Sequence, residues 1–145
     1  MPYPEEMIAW MRAELTDAGV SELKTADAVE KFLAGAPGVS MVVLNSVCGC
    51  AAGAARPGVL KALQNSIKPD RVGTAFAGND VDAVNNVRAR MPQVPPSSPS
   101  VYLFKDGQPV AYVPRHVFEG GNPDTVAQRL VSEFEKHCAR AGAAK

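Results

Sequence analysis

Residues 39–50 read VSMVVLNSVCGC, and this stretch decides the fold. Residues 39–47 form a nearly continuous apolar, β-branched run, which is typical of a strand covered on both faces. Two cysteines separated by one glycine follow at once, and residues 51–55 are small residues typical of a helix. The stretch therefore predicts a buried strand that ends in two thiols at the start of a helix.

The patterns on either side of this stretch predict one α/β domain. Two amphipathic helices are expected within residues 1–38, and the helix after the cysteines is expected to run to Ile67 with a kink or break at Pro57. A strand is expected at residues 71–77, followed by a helix at 79–91 that Asn79 or Asp80 caps. Two strands at 100–105 and 109–113 form a hairpin, and a last helix is expected at 122–138. This order predicts a mixed four-stranded sheet with helices on both faces. The single domain would span residues 1–145, with its core in 39–138 and an N-terminal helical extension in 1–38.

Composition and charge argue against several classes of function. The chain has 145 residues, 46% hydrophobic and 21% charged, which fits an ordinary folded domain. Its 15 basic and 15 acidic residues argue against nucleic acid or an anionic membrane as the main partner, because both require a basic field. The N-terminal residues lack a secretory signal pattern, and no stretch approaches the roughly 18 apolar residues of a membrane span. We therefore expect a cytoplasmic protein.

The position of Cys48 predicts a reactive thiol. It lies where a strand ends and a helix begins, and free backbone N–H groups and the helix dipole favour an anion there. We therefore expect a lowered pKa, and the resulting thiolate is the species that attacks a disulfide sulfur. Gly49 lacks a Cβ atom, so it would allow the bend that brings the sulfur of Cys50 close. A Cys-x-Cys ring is tight, so we expect a transient disulfide or a resolving role for Cys50 rather than a stable cross-link.

Two other interpretations of the cysteine pair remain open from the residues. Cys48 and Cys50 could be ordinary small apolar residues, or they could hold a soft metal ion in a non-catalytic module. A tetrahedral zinc site needs about four N or S ligands, and the other candidates, His116, His137 and Cys138, do not show ligand spacing to the pair. We therefore predict no metal site, and we expect Cys138, on an apolar helix face, to be a buried small hydrophobe.

Three further places are candidate substrate contacts. A cis Ser98–Pro99 bond, just before a strand, would leave the Ser98 backbone free to pair with an extended substrate, although a trans bond is the commoner form. Arg56 could meet the carboxylates of a small thiol, or it could be plain charge on a helix surface. His116 could approach the thiols and assist proton transfer or anion binding, or it could be a surface or packed histidine.

Several short segments along the chain form a recognisable set. They are NSVCGCAAG (45–53) with ARP (55–57), FAG (76–78), PSSPS (96–100), PRH (114–116) with EG (119–120), and HC (137–138). Together they resemble the bacilliredoxin family and, more broadly, the active-site and cis-proline segments of a thioredoxin fold. The likeness covers almost the whole chain, from residue 11 to residue 138. The resemblance implies a thioredoxin-like fold and favours a cis bond before Pro99.

The resemblance also implies an activity, which is the removal of bacillithiol from S-bacillithiolated proteins. It implies that Cys48 is the nucleophile that accepts bacillithiol and that Cys50 is the second cysteine. Bacillithiol would be a co-substrate, and no resident cofactor would be needed. The partners would be S-bacillithiolated proteins, a low-molecular-weight thiol and a recycling reductase. A rival function on the same scaffold is that of a general protein disulfide oxidoreductase or isomerase with a strained CGC disulfide.

Overall fold

A computed structural model describes residues 2–34 and 37–138. Its helices are α1 Glu5–Thr16, α2 Ala26–Leu33, α3 Arg56–Ala62, α4 Val81–Ala89, α5 Arg115–Glu119 and α6 Pro123–His137. Its strands are β1 Ser21–Glu22, β2 Val39–Asn45, β3 Arg71–Phe76, β4 Ser100–Lys105 and β5 Gln108–Val113. A π-helical turn, Ala51–Ala55, leads directly into α3. Within the described ranges, no helix is both long and apolar enough to cross a membrane.

The strands form one mixed sheet in the order β1-β3-β2-β4-β5. The strands β1, β3 and β2 run parallel, whereas β4 and β5 are antiparallel to their neighbours. The sheet therefore has five strands instead of the predicted four. The additional strand is β1, which pairs with β3 through Ser21 opposite Gly73. Its two residues are too few to show an alternating pattern in the sequence.

The central strand β2 is buried along all of its seven residues. Successive side chains of a strand point to opposite faces, so Met41 and Val43 enter the core under α3 and α6. Val42 and Leu44 enter the second core, which is covered by α2 and α4. Burial on both faces explains the continuous apolar run in the sequence, and the predicted helices on both faces of the sheet are confirmed.

The helix after the cysteines is shorter than its pattern indicated. The expected interruption near Pro57 is present, because the π-helical turn gives way to α3 there and the proline lies in the first turn of α3. A proline is tolerated at that position because the N–H group that it lacks has no intrahelical partner. The helix ends at Ala62 rather than at Ile67, which lies in the loop before β3.

The N-terminal helix α1 is tied to the sheet by a buried ion pair. Arg12 donates two hydrogen bonds of 2.8 Å to the carboxylate of Asp80, and these bonds raise the pKa of Arg12 because they favour its charged form. The guanidinium also lies 5.4 Å from the centre of the Phe76 ring. Asp80 begins α4 but makes no side-chain cap, because its carboxylate binds Arg12 and the Phe76 N–H instead.

Strand register brings distant chain segments to one edge of the sheet. Strands β2 and β4 pair with Leu44 opposite Ser100, which places Pro99 beside the loop that follows β2. Strands β4 and β5 pair with Val101 opposite Val113, so the chain that leaves β5 reaches the same edge. The two cysteines follow β2 at this edge, and the segments before β4 and after β5 therefore face them.

Candidate active site

The thiols of Cys48 and Cys50 lie in contact where β2 ends. Their Sγ atoms are 2.8 Å apart, and neither cysteine is in a disulfide. Both are half-buried. The loop is fixed by the Ser46 hydroxyl, which accepts a 3.1 Å hydrogen bond from the Cys48 N–H. The Cys48 carbonyl accepts a 2.9 Å bond from the N–H of Ala51, which begins the π-helical turn.

The two thiols differ in acidity. A hydrogen bond from Cys50 is the largest cause that lowers the pKa of Cys48, and backbone N–H groups and the charge of Arg115 lower it further. Burial, followed by the neighbouring Cys48, raises the pKa of Cys50 to about 11. The predicted lowering of the Cys48 pKa is confirmed, although the neighbouring thiol contributes more than the helix terminus. The geometry favours Cys48 as the thiolate and keeps Cys50 protonated.

Arg115 places a positive charge directly on the reactive sulfur. Its Nη2 donates to Cys48 Sγ at 3.1 Å, and its Nη1 donates to the Ser98 carbonyl at 3.3 Å. The negative charge of Cys48 in turn raises the pKa of Arg115. The sequence analysis did not select this residue, although it lies in the quoted PRH segment immediately after a predicted strand. A basic residue at the end of a strand near the cysteines was the sequence feature that could have identified it.

His116 is exposed at the rim of a cleft and is not the residue that contacts the sulfur. The cleft has a volume of about 500 Å³. It is bounded by the loop before β4 and by α5, and we call it the α5 cleft. Of the two neighbouring basic residues, the structure brings Arg115 to Cys48 and leaves His116 to line the cleft.

The loop before β4 contains the second backbone feature of the site. The Ser98–Pro99 peptide bond is cis, the form that the family resemblance favours. The Ser97 hydroxyl lies 2.6 Å from the Tyr112 hydroxyl, and the Ser97 carbonyl accepts a 2.9 Å bond from the Ser100 hydroxyl. These contacts hold the loop beside the thiols, with the Ser98 carbonyl already bound to Arg115.

Arg56 is buried under the cysteine loop, where it cannot serve as surface charge. Its side chain is 2% exposed, and its Nη1 donates to the Asn45 side-chain oxygen and to the Ser46 carbonyl, both at 2.9 Å. Its Nε donates to the Glu14 carboxylate, and its guanidinium lies 5.4 Å from the Trp10 ring centre. These contacts differ from the expected encounter with a small thiol. They make Arg56 a positioning residue for the loop that carries Cys48.

Asn45 connects the cysteine loop with helix α1, and the sequence analysis missed it. Its amide nitrogen donates to the Met11 carbonyl at 3.0 Å, and its amide oxygen accepts the Ser46 N–H at 2.8 Å as well as the bond from Arg56. Only 1% of Asn45 is exposed. A buried amide needs partners for its hydrogen-bonding groups. A polar residue at the end of an apolar strand was therefore the sequence feature that could have indicated a structural role for Asn45.

Gly49 does not have the conformation that the sequence analysis expected of it. Its φ lies outside the left-handed region that favours glycine, and a Cβ atom built on it would meet nothing within 4 Å. In this dithiol state the close approach of the two sulfurs therefore does not depend on the special freedom of glycine.

Among the described residues, no three His, Cys, Asp or Glu side chains converge as a group that could hold a metal ion. Cys138 follows α6, where it is half-buried and packs against the core under α3 and α6. This packing agrees with the apolar role that the sequence predicts for it, with less burial than expected.

Solved structures with similar folds identify the fold of the protein. The thioredoxin of Fasciola hepatica matches with a TM-score of 0.56 and 17% identity, covering 81% of this chain and 99% of that chain. The thioredoxin of Malassezia sympodialis matches with a TM-score of 0.56 and 18% identity, covering 82% and 90%. The predicted thioredoxin-like fold is confirmed. A dithiol at the end of the central strand of this fold marks a thiol–disulfide oxidoreductase.

Comparison with known protein families and with individual relatives identifies the family of the chain. The family described as Disulphide isomerase matches residues 3–138. A protein of Cytophaga hutchinsonii named Bacilliredoxin is 51% identical over 92% of this chain and 98% of its own length. A Bacilliredoxin of Shouchella clausii is 44% identical over 95% of each chain. The chain belongs to the bacilliredoxin family.

Proposed function

We propose that this enzyme removes bacillithiol from S-bacillithiolated proteins by exchange through Cys48. The observation that carries the proposal is the environment of Cys48 Sγ, which lies 2.8 Å from Cys50 Sγ and 3.1 Å from Arg115 Nη2. Such an environment favours a thiolate. The name Bacilliredoxin, which these relatives share, supports bacillithiol as the group that is removed. We place the reaction in the cytoplasm, where thiols are kept reduced.

In the first step, the Cys48 thiolate attacks the bacillithiol sulfur of the mixed disulfide. A bond forms between Cys48 and bacillithiol as the bond to the protein cysteine breaks, and that cysteine leaves as a thiolate that takes a proton from water. Cys48 is oxidised and the protein cysteine is reduced, so the step needs no external oxidant or reductant. Arg115 stabilises the attacking thiolate, and Ser98 would position the substrate backbone beside it.

In the second step, bacillithiol leaves Cys48 by one of two routes. Cys50 can lose its proton and attack Cys48 Sγ, which releases bacillithiol and leaves an intramolecular disulfide for a recycling reductase. A low-molecular-weight thiol can instead attack the carried sulfur and leave with it as a disulfide. Burial is the largest cause that raises the pKa of Cys50 in the dithiol state, so attack by Cys50 should become faster as the pH rises. Neither route requires a resident cofactor.

The test is to trap the intermediate on a variant that cannot resolve it. Cys50→Ser keeps a hydrogen-bond donor beside Cys48, and it is mixed with a bacillithiolated single-cysteine peptide. We expect intact-protein mass spectrometry to show a gain of one bacillithiol, and peptide mapping to place it on Cys48. Cys48→Ser is the matched control and should gain nothing. A peptide that stays bacillithiolated beside an unmodified Cys50→Ser variant would refute the proposed order of attack.

Isomerisation of protein disulfides is a second candidate function, which the family description Disulphide isomerase favours. It would use the same nucleophile, Cys48, on a protein disulfide instead of a mixed disulfide with a small thiol. The two functions are separated by comparing kcat/KM for a bacillithiolated peptide with kcat/KM for a protein with scrambled disulfides. A larger value for the scrambled protein would favour isomerisation.

A further inference from the structure

We infer that the α5 cleft binds the anionic part of the small thiol that Cys48 carries, and that Arg115 exchanges its sulfur partner for a carboxylate of that thiol. This inference rests on the proposed exchange through Cys48, and it adds a recognition site and a substrate class. The occupant is a low-molecular-weight thiol that bears at least one carboxylate.

The position of Arg115 connects the cleft with the reactive sulfur. A group bonded to Cys48 Sγ must extend away from Cys50, which lies 2.8 Å from that sulfur and packs against the core. Arg115 contacts the same sulfur and also lines the α5 cleft. A volume of about 500 Å³ lies within the range of small-molecule sites. A group that leaves the sulfur past Arg115 therefore enters the cleft.

The lining of the cleft suits a compact molecule with a charged end. The lining residues that matter here are Pro95, Pro96, Tyr112, Arg115, His116 and Glu119. The two prolines and the tyrosine ring provide flat apolar walls on which a saturated ring or a short alkyl chain can pack. Arg115 and His116 add nitrogen donors to this lining, and a carboxylate can accept hydrogen bonds from them. The negative charge of Glu119 would repel a bound anion. The Glu119 side chain is 52% exposed, so solvent and salt weaken that repulsion.

The exchange reaction itself changes the charge that Arg115 faces. Before attack, Nη2 of Arg115 donates to the Cys48 thiolate, whereas Nη1 binds the Ser98 carbonyl and Nε lies 3.2 Å from Glu119. Formation of the mixed disulfide makes the sulfur neutral, so Nη2 loses its anionic acceptor. A carboxylate on the carried thiol restores a charge-assisted hydrogen bond, which is stronger than one to a neutral disulfide. Arg115 thus favours the products when the carried thiol is an anion.

The experiment measures how fast Cys48 accepts small thiols of similar size and different charge from a mixed disulfide. One uncharged single-cysteine peptide is prepared as mixed disulfides with 3-mercaptopropionate, 2-mercaptoethanol and cysteamine. The rate of adduct formation on Cys48 is followed by mass spectrometry in the Cys50→Ser background. We expect the carboxylate probe to react about tenfold faster than the neutral probe, because only the carboxylate can accept a charge-assisted hydrogen bond from Arg115. The ammonium probe should be slowest.

Substitutions in the cleft should change this ratio of rates. In Arg115→Gln both rates fall as the thiolate loses its counter-charge, but the ratio of the carboxylate to the neutral probe should fall to the ratio that the same mixed disulfides show with a small free thiol. Glu119→Gln should raise the ratio about twofold, because it removes an exposed opposing charge. Arg129→Gln is the matched control, since Arg129 pairs with Glu133 four residues on and is 40% exposed, much like the 42% of Arg115. It should leave the ratio unchanged.

Two results would overturn the inference, and they are distinguishable. If the ratio is the same in Arg115→Gln as in the parent, the cleft does not select anions, although exchange through Cys48 stands. If no probe modifies Cys48, and a bacillithiolated peptide does not modify it either, the proposed exchange fails and this inference fails with it.

Discussion

Two arginines flank the cysteine pair, one buried and one accessible. The side chain of Arg56 is 2% exposed and binds the backbone and side chains around the loop, whereas that of Arg115 is 42% exposed and binds the sulfur. The partners of Arg56 include the neutral oxygens of Ser46 and Asn45, so its main effect is on position. In the proposed reaction the partner of Arg115 changes charge. The same residue type therefore positions the loop on one side of the site and, in that reaction, stabilises the thiolate on the other.

The largest predicted effect tests the buried side of this comparison. Arg56→Met should lower the free energy of unfolding by about 2–3 kcal/mol, because it leaves buried oxygens of Ser46 and Asn45 short of a donor. Urea unfolding of the reduced protein measures the loss. Arg115→Met should cost less than about 1 kcal/mol, because an accessible pair contributes little. Equal losses in the two variants would remove the distinction between the arginines.

The second prediction concerns the pKa of Cys48. Cys50→Ala should move the pH profile of Cys48 alkylation to higher pH, because it removes the hydrogen bond that most lowers the pKa of Cys48. Rates of iodoacetamide labelling across pH 5–10, resolved by peptide mass spectrometry, give the midpoint. Cys50→Ser keeps a donor and should shift less. A larger shift in the serine variant would contradict the hydrogen-bond explanation.

The third prediction tests the accessible arginine. Arg115→Gln should raise the pKa of Cys48, since loss of a positive charge disfavours the thiolate. The alkylation profile should then move to higher pH, by less than in Cys50→Ala. Arg129→Gln should leave the profile in place. The upward shift in Arg115→Gln should shrink at high salt, because an accessible charge is screened. A profile identical to that of the parent would exclude Arg115 from thiolate stabilisation.

The smallest predicted effect concerns the aromatic ring over the buried arginine. Trp10 is 53% exposed, and its ring centre lies 5.4 Å from the guanidinium carbon of Arg56. Trp10→Leu should lower the free energy of unfolding by about 0.5–1 kcal/mol through loss of the cation–π contact. In a background that already carries Arg56→Met, the same change should cost less. Equal costs in both backgrounds would show that the ring acts independently of Arg56.

Local signals in the sequence were sufficient for much of the fold. The apolar run at residues 39–47 predicted the buried central strand because both of its faces are covered. The hairpin was predicted as well, and its turn residues Asp106 and Gly107 have positive φ, 51° and 83°, as a tight hairpin turn requires. Thr25 and Asn122 cap α2 and α6 with their side chains, and both are residue types that favour this position. In each case the cause of the structure lies within a few residues.

The features that were not predicted depend on contacts between distant parts of the chain. Strand β1 exists only because β3 offers an edge on which two residues can pair. Arg115 reaches Cys48 through the combined register of three strands, and no local pattern contains that information. The burial of Arg56 requires α1 to cover it, with Glu14 as one partner. The cysteine pair could be predicted from the local sequence. The different roles of Arg56 and Arg115 could not, because they depend on contacts made after folding.

The contact between Arg115 and Cys48 joins residues 67 positions apart in the chain. A ribosome therefore releases the nucleophile well before the cation that helps to hold it as a thiolate. In the incomplete nascent chain, Cys48 lacks this counter-charge, and thiol exchange slows as the thiolate fraction falls. The contribution of Arg115 to the thiolate therefore begins only after β5 has joined the sheet.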